Sequence, residues 1–238
     1  MRIAAGLPVD DLNPMTLPGL GRLTKTDRHI LLLTDSPMRA TGSSVWHGGS
    51  AQVQGWLNLK VSGHDDINES PAETLQQYAR HLNIEAPLTG MMTAASMNSL
   101  RVELRGNEQI KLACIVTAGI ENARRAGDPC DVEQTMPDFG TINIALIGNQ
   151  PLTPAAGIEA LMLATEAKTA ACYDLAITSP VSGKTATGTG TDSICILHPD
   201  GDDLIPYCGK HTQLGEWIGA ATYAAVFSSL HACVSLRQ

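Results

Sequence analysis

Apolar residues fall into two kinds of run along the chain. Short runs bounded by Gly, Pro, Asn or Asp read as strands. They are Asp27–Thr34 through Ile30-Leu31-Leu32-Leu33, Gly90–Ala95, Ser99–Leu104, Ile110–Thr117, Thr141–Gly148 and Ser193–Leu197. Arg105-Gly106-Asn107 reads as the hairpin turn between the third and fourth of these. Helical spacing marks three further stretches. Ser70-Pro71-Ala72-Glu73 is a capping box with Pro at the first helical position, which predicts a helix to about Leu82 burying Leu75, Tyr78 and Ala79. Thr153 before Pro154 starts a long helix on which Ile158, Leu161, Met162, Thr165 and Thr169 share a face flanked by Glu166 and Lys168. Thr212 is the N-cap of a third, with Leu214, Trp217, Ile218, Ala221 and Ala225 at helical spacing. The first 25 residues are rich in Gly and Pro and show no sustained period.

A short hairpin mixed with at least three helices predicts an α+β fold, a layered sandwich of a mixed or antiparallel sheet with flanking helices. A three-layer α/β fold is the alternative. At 238 residues the chain fits one domain spanning 1–238 with a substantial core, and it contains no internal repeat or low-complexity linker.

Polar chemistry concentrates in 186–219. Gly188 and Gly190 let a ligand or another strand approach the main chain, and Thr187, Thr189 and Thr191 add hydroxyls just before Asp192. A second Gly turn delivers Lys210, His211 and Thr212 onto a helix start, where unpaired N–H groups suit an anion or a developing oxyanion. A capped surface helix with a solvated Lys-His pair explains the same residues. Glu166, at the edge of an apolar helix face, fits either proton transfer with a raised pKa or an ordinary boundary charge. His211 and Glu216 are five residues apart, about 140° around a regular helix, so they do not share a metal. Gly183-Lys184-Thr185 mimics the end of a phosphate loop, but the glycine of that motif would fall at Thr178 and no helix follows, which excludes a nucleotide triphosphatase.

Composition narrows the partners. Sixteen Lys and Arg against 24 Asp and Glu give a net charge of −8, with no basic run and only 4% aromatic residues, which argues against nucleic acid. The opening Met1–Met15 lacks the charged and apolar regions of a signal peptide, and no apolar run approaches the roughly 20 residues of a membrane span. The expectation is a cytoplasmic protein. Six cysteines without paired spacing read mostly as small core residues, with Cys208 adjoining the Lys210 loop.

Four blocks resemble the adenosylcobinamide amidohydrolases, the CbiZ family: VTAGIENARRAGDP at Val116–Pro129, NIALIGNQPLTPAAGIEALMLATEAKTAACYDL at Asn143–Leu175, TGTGTD at Thr187–Asp192 and GKHTQLGEWIG at Gly209–Gly219. They run in the family's order and cover most of the chain from about Thr34. Ser43, Ser44, Gly48, Gly49 and Asn58 look like counterparts of a Ser-Ser block, a Gly pair and an Asn-containing strand, whereas Trp46 and His47 depart from a smaller, more apolar pattern. The resemblance implies a small-molecule corrinoid substrate that brings its own cobalt, no cofactor or metal of the protein's own, and hydrolysis of the amide joining the corrin to its aminopropanol arm. It leaves the oligomeric state open, a homo-oligomer included. With it, Asn122, Arg124 and Asp128 become candidates for substrate contact beside Gly188, Gly190, Thr212, Glu216, Glu166 and Ser44. The chemistry needs a nucleophile, oxyanion donors and a proton for the amine. Two schemes meet this: water activated by His211, with Asp192 orienting it and Lys210 and the Gly188–Asp192 turn holding the oxyanion, or Thr189 or Thr191 as covalent nucleophile. The different-class alternative is a corrinoid binder that releases no amine; an amidohydrolase of another amide is a third reading.

Overall fold

The computed structural model describes residues 14–61, 70–130 and 140–235. The reading of Met1–Met15 as lacking a signal peptide falls, up to Asn13, outside them. Strands are β1 Met15–Leu17, β2 Gly21–Lys25, β3 His29–Gly42, β4 Gly49–Lys60, β5 Thr89–Thr93, β6 Arg101–Gly106, β7 Lys111–Ala118, β8 Ala123–Arg124, β9 Ile142–Gly148, β10 Gly188–Thr189 and β11 Ser193–His198. Helices are α1 Pro71–His81, α2 Pro154–Asp174 and α3 Gln213–Ser235.

Nine strands form one mixed sheet, ordered β1-β2-β3-β11-β9-β7-β6, with β4 on the other edge of β3 and β5 beyond it. Both parallel pairs, β4–β5 and β9–β11, are joined through a helix, α1 and α2 respectively, as parallel pairing requires. The 14-residue β3 runs antiparallel to β4, while its opposite edge serves β2 with residues 30–34 and β11 with residues 39–42.

The sheet folds back on itself. Asn58 of β4 donates to Thr117 Oγ1 of β7 (2.9 Å), and Asn143 of β9 donates to Asn58 Oδ1 and to the Met92 carbonyl of β5 (both 2.8 Å), although these strands are not neighbours in the ladder. The apolar space so enclosed holds Leu32, Trp56, Met91, Ile115, Ala145 and Leu197. Ala156, Ala160, Ala164 and Ala171 of α2 meet Ala221, Ala225 and Leu230 of α3 over the outer side of β7, β9 and β11. Leu75 and Ala79 of α1 cover Leu31, Leu57 and Leu59. The order of layers is helix, sheet, sheet, helix, an α+β sandwich as the pattern predicts.

Three expectations change. The opening is not without structure: β1 and β2 make a hairpin, too short to show a period. Strands start and stop off the expected ends: β5 ends at Thr93, and Ser99 lies in a 3-10 turn, Met97–Ser99, capped by Ser96. The buried face of α2 is the opposite of the expected one, with Ile158 55% and Met162 59% exposed while the Ala stripe is buried. The three N-caps stand: Ser70, Thr153 and Thr212 each accept from a backbone N–H of their helix's first turn.

Candidate functional site

The TGTGTD segment is built by its neighbours. Gly188–Thr189 pairs antiparallel with Ala123–Arg124, and Thr187 N donates to the Arg124 carbonyl at 2.8 Å. Thr169 of α2 donates to the Thr187 carbonyl (3.2 Å), and Thr141 donates to the Thr191 carbonyl (2.8 Å). Three of the four distinctive sequence blocks therefore meet at one turn.

Asp192 is the hub. Its carboxylate accepts from Ile142 N (3.0 Å), Thr189 N (3.0 Å) and Thr189 Oγ1 (2.5 Å), and pairs with Lys168 Nζ. Both charged side chains are nearly buried, at 9% and 10% exposure. A buried carboxylate is tolerated when its lone pairs are filled and its charge is matched. A Cβ at Gly188 would collide with both Asp192 Oδ2 and Lys168 Nζ, so the glycine there serves the close approach of this ion pair.

The expected partnership of Asp192 with His211 is not formed. Lys168, Thr189 and Ile142 occupy the carboxylate, while His211 is exposed two residues before α3 begins and no described residue hydrogen-bonds its ring. Lys210, 67% exposed, pairs with Glu166 of α2, itself 53% exposed, so Glu166 is a solvated charge rather than the edge of a buried face. Glu166 and Thr169 are three residues apart on α2, so the Lys210 pair lies about one helical turn from the Thr187 contact. The Lys210–His211 rim and the Gly188–Asp192 turn thus flank one stretch of α2.

The remaining candidates divide. Asn122 is 7% exposed with its Oδ1 unpartnered among the described residues, and its main-chain carbonyl accepts from Gly190 N (3.3 Å). Thr191 is exposed and donates to the Gly140 carbonyl (3.2 Å). Ser44 is buried, its Oγ lacking an oxygen or nitrogen partner among the described residues; the preceding Ser43 Oγ lies 3.3 Å from Ser193 Oγ, next to Asp192. Arg124 is half-buried in β8. Asp128 and Thr212 are structural. The Asp128 carboxylate accepts from Ser179 Oγ (2.5 Å) and Arg125 N (2.8 Å), and the Ser179 and Ser182 hydroxyls with the Arg125 N–H hold its pKa down to about 2. The 125–128 turn is therefore closed by a backbone N–H, and the Arg125 guanidinium turns instead to the Thr185 carbonyl at 2.9 Å. Thr212 Oγ1 spends itself on Gly209 O and Gly215 N. Glu216 is exposed in the first turn of α3.

Lys168 is the residue that pattern reading missed, and its signal is plain in hindsight. It sits on the stripe of Ala160, Ala164, Ala167 and Ala171, where a lone cation demands a buried anion. Asn143, fully buried within an otherwise apolar strand, carries the same kind of signal. No group of three or more His, Cys, Asp and Glu placed to hold a metal occurs among the described residues.

Comparison with known proteins adds the family. The family model described as adenosylcobinamide amidohydrolase matches residues 16–238. The adenosylcobinamide amidohydrolase of Methanosarcina mazei is 27% identical over 213 residues, covering 86% of this chain and 94% of that protein. Protein MJ1613 of Methanocaldococcus jannaschii is 34% identical over 158 residues, 59% of this chain and 61% of its own length. Among solved structures, a Burkholderia sp. beta-aminopeptidase overlaps 98% of this chain and 89% of its own with a TM-score of 0.44 and 12% identity.

Proposed function

Because the chain belongs to the adenosylcobinamide amidohydrolase family, hydrolases of amide C–N bonds, we propose that it cleaves the aminopropanol amide of adenosylcobinamide. The products are adenosylcobyric acid and 1-aminopropan-2-ol, a step of corrinoid salvage. The family match across residues 16–238, acting as one domain, carries this reading. The cobalt belongs to the substrate, and the hydrolysis asks for no resident metal or cofactor. Six cysteines, none of them in a disulfide among the described residues, suit the reducing cytoplasm, where we place the enzyme.

In this reading the amide lies across the Gly188–Asp192 turn, with Asn122 and the turn holding its polar groups and His211 reaching in from the rim. His211 takes a proton from water as it attacks the carbonyl carbon, then returns it to the departing amine. Lys210, released from Glu166, and turn N–H groups stabilise the oxyanion. Asp192 shapes the turn and does not orient the histidine.

One observation supports the covalent route: the Thr189 hydroxyl already donates to Asp192 at 2.5 Å and so has a proton acceptor. The same carboxylate already accepts from Lys168 and two N–H groups, so its lone pairs are committed to holding the turn, which favours the water route.

The test is incubation with adenosylcobinamide followed by separation of the corrinoids. Adenosylcobyric acid should form, and His211→Ala should slow its formation by about 100- to 10,000-fold, the range of a lost acid–base catalyst. Binding without amine release would make the protein a corrinoid binder instead. Full turnover by Thr189→Ala and Thr191→Ala, each alone, would remove the covalent route.

A further inference from the structure

A cavity of about 520 Å³ lies between the β3–β4 connection and the C-terminal end of α1. Trp46, His47, Gln76, Arg80, Asn83 and Glu85 are among its walls. The Trp46 and His47 rings are stacked, with centroids 5.0 Å apart and planes at 30°. Three features fix them. His47 adopts φ +52°, the left-handed region that few residues other than glycine enter, which sets the direction of its ring. Its Nδ1 lies 2.7 Å from the Leu88 carbonyl, which only accepts, so Nδ1 carries a proton and the matching tautomer offers Nε2 as an acceptor. Gly90 supports the indole, since a Cβ there would come within 3.0 Å of Trp46 Cε3.

We propose that this cavity binds the purine base of the adenosyl group, an inference that rests on the corrinoid reading above. A flat aromatic wall recognises a flat heteroaromatic ring by stacking. An exocyclic amino group finds the His47 Nε2 acceptor, and the ring nitrogens find the Gln76 amide and Arg80 as donors. Glu85 and the last carbonyls of α1 offset the Arg80 charge at the same end of the cavity, so no net positive charge is left to attract a phosphate, which favours a base carried by the corrinoid over a free nucleotide.

The placement fits one substrate. Ser43 touches Ser193 beside Asp192, and Trp46 follows three residues later, so at about 3.6 Å per residue its Cα lies within about 11 Å of the Ser43 Cα. The amide at the turn and the base in the cavity are then parts of a single corrinoid.

The experiment has two arms. In the first, kcat/KM is measured on adenosylcobinamide and on cobinamide with cyanide in place of the adenosyl group. Trp46→Leu should lower the value for adenosylcobinamide by about 10- to 100-fold, chiefly through KM, leave cyanocobinamide unchanged, and be restored by Trp46→Phe. An equal loss on both substrates, or no loss on either, would overturn the proposal. In the second arm, which needs no turnover, adenosine and ATP are titrated while tryptophan fluorescence is read against a Trp46→Phe background. Saturable quenching by adenosine that is absent in Trp46→Phe supports the base site even if adenosylcobinamide is not hydrolysed, whereas no quenching by either probe overturns it. Binding of ATP at least about tenfold tighter than adenosine would overturn the corrinoid source and assign the cavity to a free nucleotide.

Discussion

Two halves of one contiguous stretch behave in opposite ways. At Gly188–Asp192 every charged group is buried and answered: Asp192 by Lys168, Thr189 and the Ile142 N–H. At Gly209–Thr212 the polar side chains of Lys210 and His211 face water, Lys210 in an exposed pair and His211 with no partner among the described residues. Nearness in sequence made them look like one catalytic array. Burial separates them into a turn that holds shape and a solvent-facing rim, the part proposed above to move protons.

The sharpest way to break that contrast is to unpair the buried half. Lys168→Met leaves Asp192 as an uncompensated buried charge and should cost about 3–5 kcal/mol in chemical denaturation. Lys168→Met with Asp192→Asn should cost less than Lys168→Met alone, because the orphan charge is gone. Asp192→Asn alone should likewise cost about 3–5 kcal/mol, since it leaves the Lys168 ammonium as the orphan charge and an amide cannot satisfy it and all three other donors. On the rim, His211→Ala should leave stability within about 0.5 kcal/mol while it slows turnover by about 100- to 10,000-fold, and a larger destabilisation would show that the rim is structural after all. Lys210→Ala should cost less than about 1 kcal/mol, with salt removing most of the difference.

The smallest effect is a titration. Asp128 has its pKa lowered to about 2 from an ordinary value near 3.8, so it binds its proton more weakly in the folded chain than in the unfolded one. Its contribution is complete above the unfolded value and is lost as pH falls through about 2. Carboxyl chemical shifts in NMR should place its midpoint there, and Ser179→Ala should raise it.

What the pattern made legible follows from where burial was one-sided. α1 shows its cap, its ends and its face because apolar and polar residues separate cleanly around it. α2 shows its ends but not its face: Ile158 and Met162 on one side compete with Ala156, Ala160 and Ala164 on the other, and small residues won because they let α3 approach closely. β3 seemed to stop at Thr34 because Asp35-Ser36-Pro37 interrupts the apolar run. The interruption is a register irregularity between Leu33 and Met38, and the strand resumes beyond it. The convergence of Thr187–Asp192 with Val116–Pro129 was visible only as shared resemblance, since no local rule pairs β8 with β10 across that separation. The choice of Lys168 over His211 as the partner of Asp192 depended on which side of α2 faced inward, the feature that periodicity read backwards.

The double duty of β3 also matters on the ribosome. Its first half finds β2 and β4 close by in the chain, but the edge offered by residues 39–42 waits for β11, and Ser43 and its partner Ser193 are 150 residues apart. At a synthesis rate of about 5–20 residues per second that edge stays open for roughly 8–30 s in each nascent chain. An unpaired edge is a template for wrong pairing. Yield in the cell should therefore respond to translation speed and to chaperones that shield nascent strands, independently of how stable the finished molecule is.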